Sequence, residues 1–567
     1  MWLEFYLPKQ SYKILILGGY GVFGGRLAQL LSNIENIELI VAGRNRTKAQ
    51  AFCDIQTGIA KFTPAEIDRA DLAEALQTLS PDVIVDASGP FQNYGDDPYY
   101  TIRAAIAAGV NYLDFADGSD FVTGVSQFDK IAEKAGVFVL SGVSSFPVLT
   151  AAVIRNIGQN MDIHSVIGGI APSPFAGVGM NVMRAVISYA GGPITLQRNG
   201  TPTLVAGLTE SMYYTIAPPG MKPLRNIRFS LVDVPDLQVI PAEYPEINNM
   251  WMGAGPGPES LHRLLNLLAK IRATLRLPSF EIFSPIFFWV LNHMKFGEHR
   301  GGMFIEISGT KDGTALTRSW HLLAEGDDGP FIPSMAIEAI IRNTLDKAPP
   351  SVGARPAIHE LELNDYEKLF ASRTIYTGIR ETALETNSLF QRTLGSAFDD
   401  LPTSLQKLHT PNTPNTETIW IGRADITQGS NLMAKIIAKL FRFPPSGENV
   451  ATRVTVSTDA NGNEKWQRDF AGRVFNSYLR AGKGRFEHLI CESFGPASFA
   501  LAMVVDNNKL HYIPRNWRVF GIPMPKSLTP NGVTFEEEVD GKFFFDVEIA
   551  APFIGRIVHY RGWLEPE

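Results

Sequence analysis

Apolar runs alternate with helical patterns along the first 145 residues. The run at residues 14–17 ends in a cluster of glycines, and the segment RLAQLLSNI that follows it has its leucines at helical spacing. Further apolar runs lie near residues 38–42, 81–87, 111–117 and 137–143, each separated from the next by a helical pattern. This alternation predicts a parallel, doubly wound sheet that binds ligands at the carboxyl ends of its strands.

The later pattern has a period of two. It indicates strands at residues 225–235, 301–313 and 318–330, with Asp312-Gly313 as a hairpin turn. In the last third, hairpin turns are predicted at Asn461-Gly462, Asn507-Asn508 and Asp540-Gly541. The fold class is therefore α/β: a doubly wound Rossmann domain, an α+β domain with a mixed sheet and a β-rich C-terminal domain.

The length of 567 residues also requires several domains. We expect them at residues 1–145, 146–380 and 385–567, with the last boundary between 366 and 388. The Pro/Thr/Asn-rich segment at residues 409–418 predicts a surface loop. A fragment of residues 1–380 is expected to stay soluble and to keep the ligand of the first domain.

The most specific motif is KILILGGYGVFGG at residues 13–25, where a strand, a glycine-rich turn and a helix follow one another. This order opens a dinucleotide-binding unit. Gly19 is expected to form the tight turn, Gly21 to allow close approach of a pyrophosphate, and Gly24 to let the helix contact the strand. We expect the cofactor to contact Gly18, Gly19, Tyr20, Gly21, Val22, Phe23 and Gly24.

The second apolar run is followed by Arg44, Asn45 and Arg46. Proteins that bind NAD usually have an acidic residue at this distance from the glycines, where it binds the ribose 2′-hydroxyl. Arginines suit a 2′-phosphate instead, which favours NADP as the cofactor. The alternative is a glycine-rich turn in an unrelated α/β fold whose arginines face solvent.

Other strand-end residues border the same predicted edge. These are Ser88, Gly89, Pro90, Phe91, Asp117, Ser141 and Gly142. Asp117 and Tyr94 are the candidates for a catalytic proton donor, although each is also suited to a purely structural hydrogen bond. No metal site is indicated, because the ten histidines are scattered and there are only two cysteines.

The segments GGYGVFGG, AGR, DASGPFQNYG, AAGVNYLDFADG and SGVSSFPVLTAAV together resemble the saccharopine dehydrogenase-like group of NADP-binding proteins. The resemblance implies that the glycine turn and Arg44 bind NADP and that Ser88 to Phe91 pass near the nicotinamide. It also implies that a helix at 331–350 completes the first domain, and that the C-terminal segment is a bacterial domain of unknown function. The substrate is left open, because the group includes both amino-acid and lipid chemistry.

The composition restricts the kinds of partner and the compartment that we expect for this protein. A net charge of −7 argues against nucleic acid, and two distant cysteines fit a reducing cytoplasm. No signal peptide is expected, since the predicted first strand begins close to the start of the sequence. Arginines interspersed with aromatics in the last domain, Arg468 beside Trp466 among them, suit either an anionic lipid or a solvated sheet face.

An aromatic segment, FEIFSPIFFWVLNHMKF, occupies residues 280–296 and is too short to span a bilayer. It is suited to contact a membrane surface, to line an apolar substrate channel or to form a buried helix or homodimer interface. If it lines a channel, Lys295, His299 and Arg300 would hold an anionic head group. Two functions remain open: an NADP(H)-dependent reductase of a bulky, partly apolar small molecule, and an NADP(H)-binding sensor or scaffold without turnover.

Overall fold

The computed structural model describes residues 11–177, 179–381, 388–410 and 417–567. The chain forms two compact units, one with residues 1–212 and 228–376 and the other with residues 213–227 and 377–567. Within the described ranges, no helix combines the length and hydropathy required to cross a membrane. The expected loop at 409–418 lies mostly outside these ranges.

Strands and helices alternate in the first part of the first unit. In chain order they are β1 (Tyr12–Leu17), α1 (Val22–Leu31), β2 (Ile37–Gly43), α2 (Arg46–Asp54), β3 (Lys61–Glu66), α3 (Leu72–Leu79), β4 (Val83–Asp86), α4 (Tyr100–Ala108), β5 (Asn111–Asp114), α5 (Ser119–Gly124), α6 (Asp129–Ala135), β6 (Phe138–Ser141) and α7 (Thr150–Ile157).

The chain continues with longer strands and further helices. These elements are β7 (Asp162–Ala171), α8 (Met180–Tyr189), β8 (Pro193–Arg198), β9 (Thr201–Ala206), β10 (Ser211–Tyr214), β11 (Ile227–Leu231), α9 (Asp236–Glu243), β12 (Asn249–Ala254), α10 (Glu259–Leu275), α11 (Ser284–His293), β13 (Arg300–Lys311), β14 (Thr314–Glu325), α12 (Ile332–Leu345), β15 (Gly353–Pro356), α13 (Leu363–Phe370) and β16 (Ile375–Glu381).

The first sheet is parallel and has the order β15-β6-β5-β4-β1-β2-β3. Side chains of β1 alternate between two cores, with Ile14 and Ile16 on one face and Leu15 and Leu17 on the other. Both faces are covered, which explains the uninterrupted apolar run in the sequence. The doubly wound α/β fold predicted from the alternating pattern is confirmed.

Two later elements belong to this parallel layer. β15 pairs with β6, and α12 packs against α1. The Ser334 hydroxyl of α12 donates a hydrogen bond to the carbonyl of Phe23, at 3.2 Å. The helix predicted at 331–350 therefore packs on the first helix of this layer.

The second sheet is mixed, as predicted. Its central strands run in the order β11-β12-β7-β13-β14; β12 is parallel to β7, whereas β13 is antiparallel to it. β13 and β14 form a long hairpin whose turn is Asp312-Gly313, where both residues have positive φ. This is the turn chemistry on which the sequence prediction was based.

The described residues of the second unit form antiparallel strands and three helices. They are α14 (Leu389–Leu394), α15 (Thr403–His409), β17 (Glu417–Gln428), α16 (Leu432–Leu440), β18 (Gly447–Thr458), β19 (Glu464–Phe470), β20 (Arg473–Ala481), β21 (Ile490–Phe494), β22 (Ala497–Asp506), β23 (Lys509–Val519), β24 (Ile522–Pro523), β25 (Thr534–Val539), β26 (Lys542–Ala551) and β27 (Gly555–Pro566).

Ten of these strands close into a barrel. Neighbouring strands pair antiparallel in chain order from β17 to β23, then through β25 and β26 to β27, which pairs back with β17. Closure leaves no free edge among these ten strands. All three hairpin turns predicted for this region join consecutive strands.

The second unit also contains a segment that the sequence did not single out, residues 213–227. Its Gly220 carbonyl accepts a hydrogen bond from the Val505 amide at 2.9 Å, and its Ala217 carbonyl accepts one from Arg380 at 2.6 Å. The segment therefore has its partners in the C-terminal part of the chain, although it lies far from that part in sequence.

Segment 213–227 changes the behaviour that we expect of an N-terminal fragment. A fragment of residues 1–376 leaves segment 213–227 without its partners, so we predict that it aggregates. Replacing residues 215–226 of that fragment by a short Gly/Ser linker is expected to restore a monomer in size-exclusion chromatography. If the unmodified fragment is already monomeric, segment 213–227 does not depend on the C-terminal part.

Candidate functional site

The glycine turn between β1 and α1 is shaped by two close approaches. Gly18 has φ +72°, and a Cβ there would lie 2.7 Å from the Ala87 carbonyl oxygen at the end of β4. A Cβ on Gly24 would lie 2.5 Å from the Gly18 oxygen. The left-handed residue is Gly18. Gly19 lies inside the turn, which the hydrogen bond from the Gly21 amide to the Gly18 carbonyl closes at 2.8 Å, and it is buried against β2.

The first turn of α1 has no side-chain cap. Gly21 is the N-cap residue, the first turn contains no acidic residue, and both Gly21 and Val22 are exposed. The unpaired N–H groups and the helix dipole at such an end favour an anion. A pyrophosphate can bind at this helix end, because Gly21 has no side chain that would block its path to the amides.

The residues after β2 are exposed, as expected for a ribose-binding loop. The Asn45 side chain accepts a hydrogen bond from the Lys48 amide at 2.9 Å and so caps α2. The guanidinium groups of Arg44 and Arg46 have no ion-pair partner within the described part of the chain. Tyr20 packs on Gly43, where a Cβ would lie 2.6 Å from its hydroxyl, and so links the loop to the glycine turn.

A buried carboxyl group organises the loop after β4. Asp86 accepts hydrogen bonds from the Ser88 hydroxyl at 2.6 Å, the Ser88 amide at 3.0 Å and the Tyr94 hydroxyl at 2.5 Å. Burial raises the pKa of Asp86, while these hydrogen bonds oppose the rise. The Arg69 guanidinium lies 4.0 Å from the centre of the Tyr94 ring. The Tyr94 hydroxyl therefore fixes the Ser88–Phe91 loop.

A second buried carboxyl group ties β5 to β6. Asp114 accepts hydrogen bonds from the amides of Gly142 at 2.7 Å and Ala116 at 2.9 Å. Burial raises its pKa to about 7. Ser141 is fully buried, and the Gly142 amide is engaged by Asp114. Their proposed contact with a cofactor stays a prediction.

Asp117 lies three residues beyond the end of β5, in the loop before α5, whereas the sequence pattern had extended that strand to Asp117 itself. Burial raises its pKa to about 6; the Gln92 side chain opposes this rise and the Asp233 carboxylate adds to it. A neighbouring loop approaches closely, since a Cβ on Gly118 would lie 3.3 Å from the Gln92 nitrogen. Asp117 is thus a third acid with a raised pKa, and it lies beside the segment that follows the Ser88–Phe91 loop.

Three residues of the later sequence were missed. Asp233, after β11, accepts a hydrogen bond from the Ser119 hydroxyl at 2.6 Å. Desolvation raises the pKa of the half-buried Tyr189, and the Asp233 and Asp117 carboxylates raise it further. The Asn181 side chain of α8 donates a hydrogen bond to the Gly89 carbonyl at 2.5 Å. No motif marked them, because contacts across about 100 residues leave no local pattern.

The raised pKa of Asp117 predicts a pH-dependent stability. Because its pKa is higher in the folded state than its ordinary value, bound protons stabilise the fold at low pH, and this contribution is lost as the pH rises through about 6. Asn mimics the protonated acid. The gain in the free energy of unfolding from Asp117→Asn should therefore be about 2 kcal/mol larger at pH 7.5 than at pH 4.5 in urea unfolding.

The exposed Asp96 provides the control, since Asp96→Asn changes the same charge at a solvated position. Its effect on the free energy of unfolding should be equal at the two pH values. An Asp117→Asn effect that is also equal at both would contradict the assignment of a raised pKa.

Two segments of the chain match models of known protein families. Residues 14–140 match the model of the saccharopine dehydrogenase NADP binding domain, and residues 401–564 match a domain of unknown function, DUF4166. No curated protein sequence matches the chain.

Solved structures give weak overlaps. An amine dehydrogenase from Mycobacterium smegmatis is 10% identical, with 61% of this chain and 94% of that chain covered and a TM-score of 0.32. The meso-dapdh mutant from Clostridium tetani is 15% identical, covering 64% and 99%, with a TM-score of 0.29. Both TM-scores are too low to indicate a shared function. The two family matches therefore make residues 14–140 similar to a saccharopine dehydrogenase-type NADP-binding domain and residues 401–564 similar to a C-terminal domain of unknown function.

Proposed function

We propose that the protein is an NADP(H)-dependent oxidoreductase that reduces a bulky, partly apolar small molecule in the cytoplasm. One observation carries the choice of cofactor: Arg44 and Arg46 are exposed and have no ion-pair partner among the described residues, at the distance from an uncapped glycine turn where the ribose lies. The first-turn amides of α1 would hold the pyrophosphate, and the two arginines the 2′-phosphate.

The proposed proton donor is Asp117. Its raised pKa of about 6 keeps part of the population protonated near neutral pH, as a general acid requires. Tyr94 is the weaker candidate, because its hydroxyl is hydrogen-bonded to the buried Asp86. Nicotinamide cofactors supply the hydride themselves, so the protein contributes orientation and this proton.

An apolar substrate is supported by α11 and its flanking residues. Trp289 is 61% exposed and Ile286 60% exposed, and the neighbouring α10 also exposes leucines. α11 packs against α8, the helix whose Asn181 binds the Gly89 carbonyl. These exposed side chains therefore lie on a helix that packs against α8, and α8 in turn contacts the loop proposed to border the nicotinamide.

Fewer cations are available to bind an anionic head group than the sequence predicted. Arg300 is hydrogen-bonded to Glu298, at 2.9 Å from its Nε atom, and His299 lies 3.0 Å from Asp327. Only Lys295 of the three predicted cations is left to bind an anion. A membrane surface or a second copy of the chain would cover the same apolar side chains, and these are the alternative occupants.

A second function has specific support. The Tyr94 hydroxyl is hydrogen-bonded within the protein, and the other candidate acid, Asp117, is half-buried beside the polar side chains of Gln92 and Asp233. An NADP(H)-binding sensor or scaffold without turnover needs no free acid. Oxidation of NADPH by candidate substrates separates this function from the reductase.

Arg44→Ala should weaken NADPH binding about tenfold to a hundredfold in calorimetry, because a charge-assisted hydrogen bond to the 2′-phosphate contributes about 1.5–3 kcal/mol. NADH lacks this phosphate, so its affinity should be almost unchanged. Lys130→Ala removes an equal charge from the exposed face of α6 and should leave both affinities as they are. Equal losses for NADPH and NADH would contradict the role of Arg44.

Gly21→Val should abolish the binding of both cofactors, since a branched side chain at the exposed Gly21 would occupy the approach to the first turn of α1. The turn itself must shift slightly, because a Cβ at this position would lie 2.9 Å from the Gly18 carbonyl oxygen, so the unfolding midpoint of the variant is measured beside its cofactor affinity. Unchanged NADPH affinity with a native circular dichroism spectrum would place the pyrophosphate elsewhere.

The double change Phe287→Ser and Trp289→Ser tests the role of α11. If α11 borders the substrate, binding of an acyl or isoprenoid probe is lost while the sedimentation coefficient stays the same. An oligomer that dissociates into monomers with probe binding unchanged would instead assign α11 to a subunit interface.

A further inference from the structure

The barrel of the second unit encloses a cavity that the proposed dehydrogenase chemistry does not use. It has a volume of about 140 Å³, within about 960 Å³ of open space between the lining side chains, part of which reaches solvent. A cavity near 150 Å³ in another protein holds a benzene ring, so this one is large enough for part of an organic molecule.

Aromatic and aliphatic side chains form most of the wall. The strands alternate: on β20, Phe475, Ser477 and Leu479 are buried and line the cavity, whereas Arg473 and Tyr478 are exposed. Rings from other strands and from α14 complete the wall; they include Phe390, Trp466, Phe494 and Tyr560. Such a lining is suited to an apolar body.

One cationic side chain in the cavity wall, Arg468, has hydrogen-bond donors that are not engaged. Arg468 donates a hydrogen bond to the Ser477 hydroxyl at 2.8 Å, and its guanidinium lies 5.2 Å from the Trp466 ring centre. The Glu492 carboxylate is 3.9 Å from the Arg468 Nη2 atom, too far for a hydrogen bond. Both side chains are about 20% exposed. A guanidinium has five N–H groups, so most of these donors have no acceptor among the described residues.

The other lining carboxylates have donors of their own. Glu536 accepts hydrogen bonds from the Tyr512 hydroxyl at 2.9 Å and lies 2.7 Å from the buried His409. Glu548 accepts one from Arg556 at 2.6 Å. Among the described lining residues, Arg468 and Glu492 thus form a charged pair that is close but not joined by a hydrogen bond.

We propose that the barrel binds an apolar molecule whose polar end is a hydroxyl group, a lipid-like alcohol, with the hydroxyl seated between Arg468 and Glu492. The hydroxyl oxygen accepts from the guanidinium and its hydrogen is donated to the carboxylate, so that one neutral group satisfies both. A carboxylate at this position would place a second anion beside Glu492, which is unfavourable in a partly buried site. This proposal is independent of the dehydrogenase function.

Calorimetry on the full chain with 1-decanol and decanoate tests the site. The unmodified protein should bind one equivalent of 1-decanol at least about tenfold more tightly than decanoate. Arg468→Met should weaken 1-decanol about tenfold or more, through loss of a hydrogen bond to a charged donor. Arg473→Met, on the exposed face of β20, is the matched control and should leave binding unchanged.

Glu492→Gln gives the sharper test, because it removes the repelling anion while keeping the shape. It should improve decanoate binding about tenfold or more and reverse or abolish the preference for the alcohol. Val547→Phe should prevent both probes from binding, because the larger side chain fills the cavity. Loss of binding in this variant would show that the probes do not bind at the exposed apolar side chains of α11.

The proposal is overturned if 1-decanol does not bind, if Val547→Phe leaves its binding intact, or if the unmodified protein prefers decanoate. Ser477→Ala removes the hydroxyl that positions the Arg468 guanidinium and should also weaken 1-decanol binding, so unchanged affinity in both Arg468→Met and Ser477→Ala overturns the proposal. Unfolding midpoints of each variant establish that the barrel is intact. Ser477→Ala and Glu492→Gln keep the test valid if Arg468→Met fails to fold.

Discussion

The close approach of α1 to the end of β1 is the constraint on which the proposed chemistry depends. It requires the absence of a side chain at Gly24, where a Cβ would lie 2.5 Å from the Gly18 oxygen, and a left-handed residue at Gly18 itself. Only this approach places the uncapped first turn of α1 at the carboxyl edge of the parallel sheet. An anion at that edge then meets unpaired amides, with no side chain between them.

Two buried carboxyl groups maintain the rest of this edge. Asp86 and Asp114 end adjacent strands and are both fully buried. Each accepts hydrogen bonds from the backbone of the loop that follows its own strand or the next one. A buried carboxyl group left without donors would destabilise the fold, so these aspartates couple the loop conformations to the sheet. The loops that border the proposed nicotinamide position are therefore fixed by the strands themselves.

Local patterns predicted what depends on neighbours in sequence. The uninterrupted apolar run of β1, the turn at Asp312-Gly313 and the three barrel hairpins all follow from side-chain period and turn chemistry. Patterns of this kind do not encode contacts made across long stretches of chain. Segment 213–227, which belongs to the second unit, and Asp233, which approaches Asp117, gave no local signal for this reason. The extension of β5 to Asp117 failed because an apolar run does not mark where pairing ends.

The most direct measurement of the central claim is a crystal structure of the full chain grown with NADP. The account predicts the pyrophosphate within hydrogen-bond distance of the amides of Val22 and Phe23, with the 2′-phosphate between Arg44 and Arg46. Nicotinamide density should border Gly89 and Pro90. A cofactor bound with its phosphates away from the first turn of α1, or a 2′-phosphate facing solvent with both arginines turned from it, would contradict the account.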